Sequence, residues 1–159
     1  MRVLFVCTGN TCRSPMAEAV FRRLASNRLD CHEQKLLDHK IDVLSAGVAA
    51  ADSAPAAAEA IRVLGDRGID LSNHLSQQVT NEMLEKSELV LTMTASHLEV
   101  LRNARPDLAD RMRVLRPDGG DISDPIGGGL TEYQDCADEI TSCLDSLLDD
   151  LIKKDTPGK

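Results

Sequence analysis

The sequence predicts one α/β domain, a four-stranded and mainly parallel sheet flanked by helices in three layers. Two observations carry that expectation. Short apolar runs alternate with stretches of helical period along the chain. Its 159 residues also suit one hydrophobic core and leave little room for two. Hydrophobic residues at 42% and charged residues at 28% give a globular rather than a disordered balance.

Arg2–Val6 reads as a buried strand, and Met16–Ala25 then sets Met16, Val20, Phe21 and Leu24 on one helical face. Ile41–Ala46 is the second strand. Pro55 opens an alanine-rich helix that breaks at Gly65 and Gly68. Thr80 caps a short helix ahead of the strand Leu89–Met93, and Ser96 caps another that runs through Leu101. Met112–Leu115 is the fourth strand. Leu130, Tyr133, Ala137, Ile140, Leu144, Leu147 and Leu151 line one face of a long final helix, with Lys153 and Lys154 at its negative end. No repeat or linker divides the chain, so residues 1–154 form the domain and 155–159 a frayed tail. Ligands in such folds sit beyond the carboxyl ends of the strands.

Composition excludes several classes of function. A net charge of −8, with Arg22-Arg23 the only adjacent arginines, repels nucleic-acid backbones and anionic membranes. Aromatics are 2%, too few for a base-stacking platform. No run approaches the ~20 apolar residues of a membrane span, and Val3–Val6 is too short for a secretory signal core. Five cysteines at irregular spacing (Cys7, Cys12, Cys31, Cys136 and Cys143) read as reduced thiols of a cytoplasmic protein. A zinc site built on Cys7, Cys12 and Cys31-His32 would match no common module. No feature of the sequence sets an oligomeric state.

The chemistry concentrates in Cys7-Thr8-Gly9-Asn10-Thr11-Cys12-Arg13-Ser14-Pro15, between the first strand and the first helix. Pro15 suits the first helical position and Ser14 can cap it, so the turn aims backbone N–H groups and a positive helix end at one spot. Gly9 allows a tight curve and a close approach to an anion. Arg13 adds a planar fork matched to two phosphoryl oxygens. The same field favours the thiolate of Cys7. Nucleophile, anion cradle and clamp together suit attack on phosphorus through a cysteinyl-phosphate. Spacing alone equally allows Cys7 and Cys12 to be small core side chains.

The run from Cys7 to Arg13 with Ser14-Pro15 resembles the low-molecular-weight protein tyrosine phosphatase family, and most closely its protein-arginine-phosphatase branch. Asp124-Pro125-Ile126-Gly127 is similar to that family's Asp-Pro loop; Ser45-Ala46-Gly47 and His74 match further stretches in the same order. The resemblance implies a phosphotyrosine phosphatase I-like fold and a hydrolase acting on phosphorylated proteins, with no cofactor and no metal. It makes Cys7 the nucleophile, Arg13 the phosphoryl clamp and Asp124 the general acid and then base. Thr8, Gly9, Asn10, Thr11, Cys12 and Ser14 would bind the phosphoryl group. Asn10, Ser14, Ser45 and His74 would form the supporting hydrogen-bond network, with Ser14 donating to the Cys7 sulfur. Cys12 would guard Cys7 through a reversible disulfide.

Position 11 bears on the substrate. Tyrosine-directed relatives usually carry a bulky aliphatic residue there; Thr11 resembles the branch that removes phosphate from arginine, replacing apolar contact with a hydroxyl. Ile126 and Gly127 supply no aromatic ring to sandwich a phenol, and Asp118, Asp121 and Asp124 together offer acids to a guanidinium, although Asp118 and Asp121 taken singly read as solvated loop acids. Protein phosphoarginine is therefore the first expectation and phosphotyrosine the alternative. A thioredoxin-linked arsenate reductase is a further alternative, but it needs resolving cysteines where this chain has none between Ser72 and Thr94, and Pro15 departs from its usual glutamine. A binding module without catalysis, or a phosphocysteine carrier, would not need Cys7, Arg13 and Asp124 together.

Overall fold

The computed structural model describes residues 1–155, with side chains through Leu151. Four parallel strands, β1 (Arg2–Cys7), β2 (Asp42–Gly47), β3 (Leu89–Thr92) and β4 (Met112–Val114), lie in the order β2-β1-β3-β4. The helices are α1 (Arg13–Arg28), α2 (Ala58–Asp66), α3 (Asn81–Lys86), α4 (Ala95–Ala104) and α5 (Leu130–Asp155). Short 3₁₀ turns occupy Glu33–Lys35 and Pro106–Arg111.

Strand alternation builds the three layers. Val3, Phe5 and Cys7 of β1 face a core shared with Met16, Val20 and Phe21 of α1, Leu64 of α2 and Ile140 and Leu144 of α5. Leu4 and Val6 face the opposite side, where Leu84 of α3 and Leu101 of α4 cover them. Both faces of β1 are therefore dry, which explains a sequence of continuous rather than alternating apolar residues. The rings of Phe5 and Phe21 meet at 5.7 Å and 58°, a tilted pair contributing roughly 0.5–1.5 kcal/mol beyond its buried area.

The chain leaves β1 to one side for β2 and returns to the other for β3. This is a topological switch point, and the crevice outside the end of β1 is where such a fold receives a ligand. The loop from Cys7 to Arg13 occupies that crevice.

Strand ends differ from the sequence expectation by one residue, and three helix boundaries differ in ways that the packing explains. Pro55 does not open α2, which begins at Ala58. Residues around it are drawn into an extended pairing instead, with Pro55 bridging Leu75 and Ser76 N–H donating to Ala54 O. The cap of α4 is Thr94 rather than Ser96; its hydroxyl accepts from His97 N–H at 3.2 Å, two residues earlier than expected. Helix α5 runs through Asp155, one residue into the expected tail. Residues 156–159 and the side chains of Lys153 and Lys154 lie outside the described residues. The Thr80 cap forms as expected, accepting from Met83 N–H. Among the described residues, no helix is long and apolar enough to cross a membrane.

Candidate active site

Cys7 ends β1 with its sulfur beneath the loop, and Arg13 begins α1 six residues later. Between them the backbone is forced through a left-handed conformation, and the residue that takes it is Asn10 at φ +56°, not Gly9. Asparagine tolerates this region better than most residues, yet it costs free energy unless the surroundings hold it. They do so from four directions. Asn10 N–H donates to Cys7 Sγ at 3.3 Å and its Nδ2 to Ser14 Oγ at 2.8 Å. Its Oδ1 accepts from Gln77 N–H at 3.0 Å and its carbonyl from His74 Nε2 at 2.7 Å. Asn10 is fully buried. Gly9 has open space around it, with Thr11 Oγ1 the nearest atom to an added Cβ at 3.8 Å, so it leaves the approach to the loop clear.

Ser14 is expected to cap α1, but the capping position is Cys12, with no side-chain cap. The Ser14 hydroxyl is turned into the cradle. It accepts from Asn10 Nδ2 and stands 2.9 Å from Cys7 Sγ, against 3.4 Å from Ala46 O. The shorter contact makes Cys7 the better acceptor of its proton, which stabilises negative charge on sulfur.

Arg13 is buried, and its guanidinium holds the loop before α5. Nη1 donates to Ile122 O at 3.1 Å and Nη2 to Asp124 Oδ2 at 3.2 Å. The Asp124 side chain remains 46% exposed, so its carboxylate meets Arg13 on one side and water on the other. Its other oxygen accepts from Ile126 N–H at 3.1 Å, the turn expected of an Asp-Pro dipeptide.

Ser45 departs from its expected place in the supporting network. Its hydroxyl is captured by Glu18 Oε2 at 2.6 Å, and Glu18 is also paired with Arg22. Only the Ser45 carbonyl reaches the cradle, through Gln77, whose Nε2 donates to it at 2.9 Å while its backbone holds Asn10. Gln77 was not expected from the sequence. It lies on an extended stretch that pairs with the end of β2, Gly47 N–H donating to Gln77 O, and no apolar periodicity marks that stretch. The three acids of this stretch also have separate partners. Asp118 is engaged by Arg116 and Gly120 N–H, and Asp121 accepts from Ala95 N–H at the start of α4, so of the three only Asp124 contacts Arg13.

Thr11 is half-buried at the rim, its carbonyl fixed by Ala57 N–H at 2.9 Å and its hydroxyl 3.7 Å from Cys12 Sγ. Cys12 Sγ lies 3.3 Å from the phenol of Tyr133 on α5. Burial, then the contact with Cys12, pushes the Tyr133 pKa up, so the phenol keeps its proton beside that sulfur. Both Cys7 and Cys12 are free thiols. Cys136 is a core side chain whose thiol burial pushes up to about 12, which makes it inert near neutrality. Cys143 is half-buried and shifted upward for the same reason.

A cysteine sulfur beside a hydroxyl, a buried guanidinium and a half-exposed carboxylate at the end of β1 are the groups that cysteine-based phosphoryl chemistry needs. The comparisons agree. Residues 2–157 match the low molecular weight phosphotyrosine protein phosphatase family, and the chain belongs to it. A protein-arginine-phosphatase of Bacillus subtilis is 38% identical over 157 residues, covering 96% of this chain and 98% of that one. A low molecular weight protein-tyrosine-phosphatase of Streptomyces coelicolor is 36% identical, covering 92% and 91%. The solved YwlE arginine phosphatase, in a mutant whose active-site serine is phosphorylated, superimposes with a TM-score of 0.85 at 35% identity, covering 98% of this chain and 97% of that one.

Proposed function

We propose that this phosphatase hydrolyses phosphoarginine in proteins, with Cys7, Arg13 and Asp124 as its catalytic residues. The observation that carries the substrate is the rim of the cradle. Thr11 presents a hydroxyl where a bulky aliphatic residue would contact a phenyl ring, and on the Asp-Pro loop the residue after Pro125 is the aliphatic Ile126, 63% exposed, rather than an aromatic. The arginine-phosphatase relatives support the same reading. The cytoplasm, with its reduced thiols, is the compartment this chemistry suits.

In the first step the Cys7 thiolate attacks phosphorus in line with the P–N bond. The charge on the three equatorial oxygens is met by the loop N–H groups and by Arg13. Asp124, protonated, gives its proton to the departing guanidino nitrogen, and the S–P bond forms as the P–N bond breaks. In the second step the Asp124 carboxylate takes a proton from water as its oxygen attacks the cysteinyl-phosphate. Phosphate leaves, and the thiolate returns to the hydroxyl of Ser14. Thr8, Gly9, Asn10, Thr11, Cys12 and Ser14 line the phosphoryl site; Asn10, His74 and, through Gln77, Ser45 hold it in shape. Cys12 is the neighbouring thiol able to trap an oxidised Cys7 as a disulfide.

The test is phosphate release from a phosphoarginine peptide and a phosphotyrosine peptide, with the native chain and with Thr11→Ile. The native chain should prefer phosphoarginine and the variant phosphotyrosine. A native preference for phosphotyrosine would make the chain a tyrosine phosphatase.

A further inference from the structure

His97 has no assigned part in the reaction, yet it meets Thr8 of the phosphoryl loop at the rim of the cradle. Thr8 follows the nucleophile directly and is exposed. His97, in the first turn of α4, is only 6% exposed, and its Nε2 lies 2.8 Å from Thr8 Oγ1. The other ring nitrogen, Nδ1, is buried and has no hydrogen-bond partner among the described residues.

That asymmetry selects one protonation state. A proton on Nδ1 would be a buried donor with no acceptor, the rarest kind of unpaired group. An imidazolium would have the same orphan and a buried charge as well. Burial, and then the charge of Arg13, lowers the His97 pKa, against the opposing pull of Asp121 and Asp124. The ring is therefore neutral with its proton on Nε2, and it donates to Thr8 Oγ1. Thr8 then accepts from His97 and keeps its own hydroxyl proton for another acceptor. Among the described residues that hydroxyl has no other partner.

We propose that His97 is a positioning residue that fixes the Thr8 hydroxyl so that its proton is donated to a phosphoryl oxygen of the bound substrate. The placement fits, because His97 senses both Arg13 and Asp124, the clamp and the acid of the reaction. Thr8 is thus a second hydroxyl donor at the cradle, on the substrate side, complementing Ser14 on the sulfur side. The inference rests on the reading of this loop as a phosphoryl site.

The experiment measures binding of inorganic phosphate, by calorimetry and by competitive inhibition, to the native chain, Thr8→Val, His97→Leu, the double variant and His97→Gln. Losing a hydrogen bond to a charged oxygen should weaken phosphate about tenfold in Thr8→Val. His97→Leu should weaken it by a similar factor and the double variant no further, because the two residues act through one bond. His97→Gln, which keeps an N–H near the same position, should restore most of the affinity. Imidazole nitrogen NMR of the native chain at neutral pH should show the Nε2–H tautomer. Unchanged phosphate affinity in Thr8→Val, additive losses in the double variant, or an Nδ1–H tautomer would each overturn the proposal. Should His97→Leu not fold, Thr8→Val and the tautomer decide it. A native chain that neither binds phosphate nor hydrolyses a phosphopeptide would refute the phosphoryl site itself.

Discussion

Gly47 lies outside the loop, yet the cradle rests on it. A Cβ added there would stand 2.4 Å from the Thr8 carbonyl oxygen, 2.9 Å from Ala50 Cβ and 3.1 Å from Asn10 N. Two of these three neighbours are backbone atoms of the loop, which cannot rotate away as a side chain tip would. Ordinary contact begins at about 3.5 Å, so the loop must retreat by roughly 1 Å in Gly47→Ala. The backbone of Gly47 is ordinary strand, and alanine adopts it freely, so the perturbation is one of space rather than of conformation. A shift of that size in reacting groups can cost about 100-fold, and kcat/KM should fall by that order. The loss of stability from such overpacking should be about 1–3 kcal/mol, leaving the chain folded. The assay is kcat/KM on a phosphoarginine peptide and on a small aryl phosphate, with circular dichroism and thermal unfolding alongside. Both substrates should lose activity alike, since the cradle is common to them. A folded Gly47→Ala with native kcat/KM would refute the claim that Gly47 sets the position of Thr8 and Asn10.

Asp124→Asn cannot protonate a leaving group, so hydrolysis should slow most for poor leaving groups; equal slowing across a series of aryl phosphates would count against the acid role. Iodoacetamide at pH 8 should alkylate Cys7 with loss of activity and spare Cys136. With its thiol pushed up to about 12, Cys136 stays protonated there and gains a thiolate only as pH rises toward that value. Labelling of Cys136 in the folded chain, read by peptide mass spectrometry, would contradict its burial.

The strands and their parallel arrangement were legible because both faces of β1 are apolar, and Val3–Val6 says so without help from the rest of the chain. Arg13 and Asp124 were legible as residue types in register, and the fold pairs them, with Cys7 at the other end of the same loop. What the sequence concealed was the partner of several polar groups. Ser14 reads both as a cap and as a donor to the Cys7 sulfur, and in the fold its hydroxyl meets the sulfur and caps nothing. Ser45 reads as a network hydroxyl but is taken by Glu18, a residue that appears only as a surface acid of α1. Gln77 and His97 carry no motif, and their contacts with Ser45, Asn10 and Thr8 span 32, 67 and 89 positions, beyond any local pattern. Pro55 followed by alanines has a helical composition, but the pairing with Leu75 and Ser76 overrides it.

The measurement that tests the account most directly is rapid quenching of the native chain with a phosphoarginine peptide, followed by mass spectrometry of the peptide holding Cys7. The account predicts a phosphoryl group on the Cys7 sulfur that forms within the first turnover and decays as phosphate appears. Cys7→Ser should release no phosphate while still binding it. Phosphate released from the native chain with no modification of Cys7, or turnover by Cys7→Ser at the native rate, would contradict it.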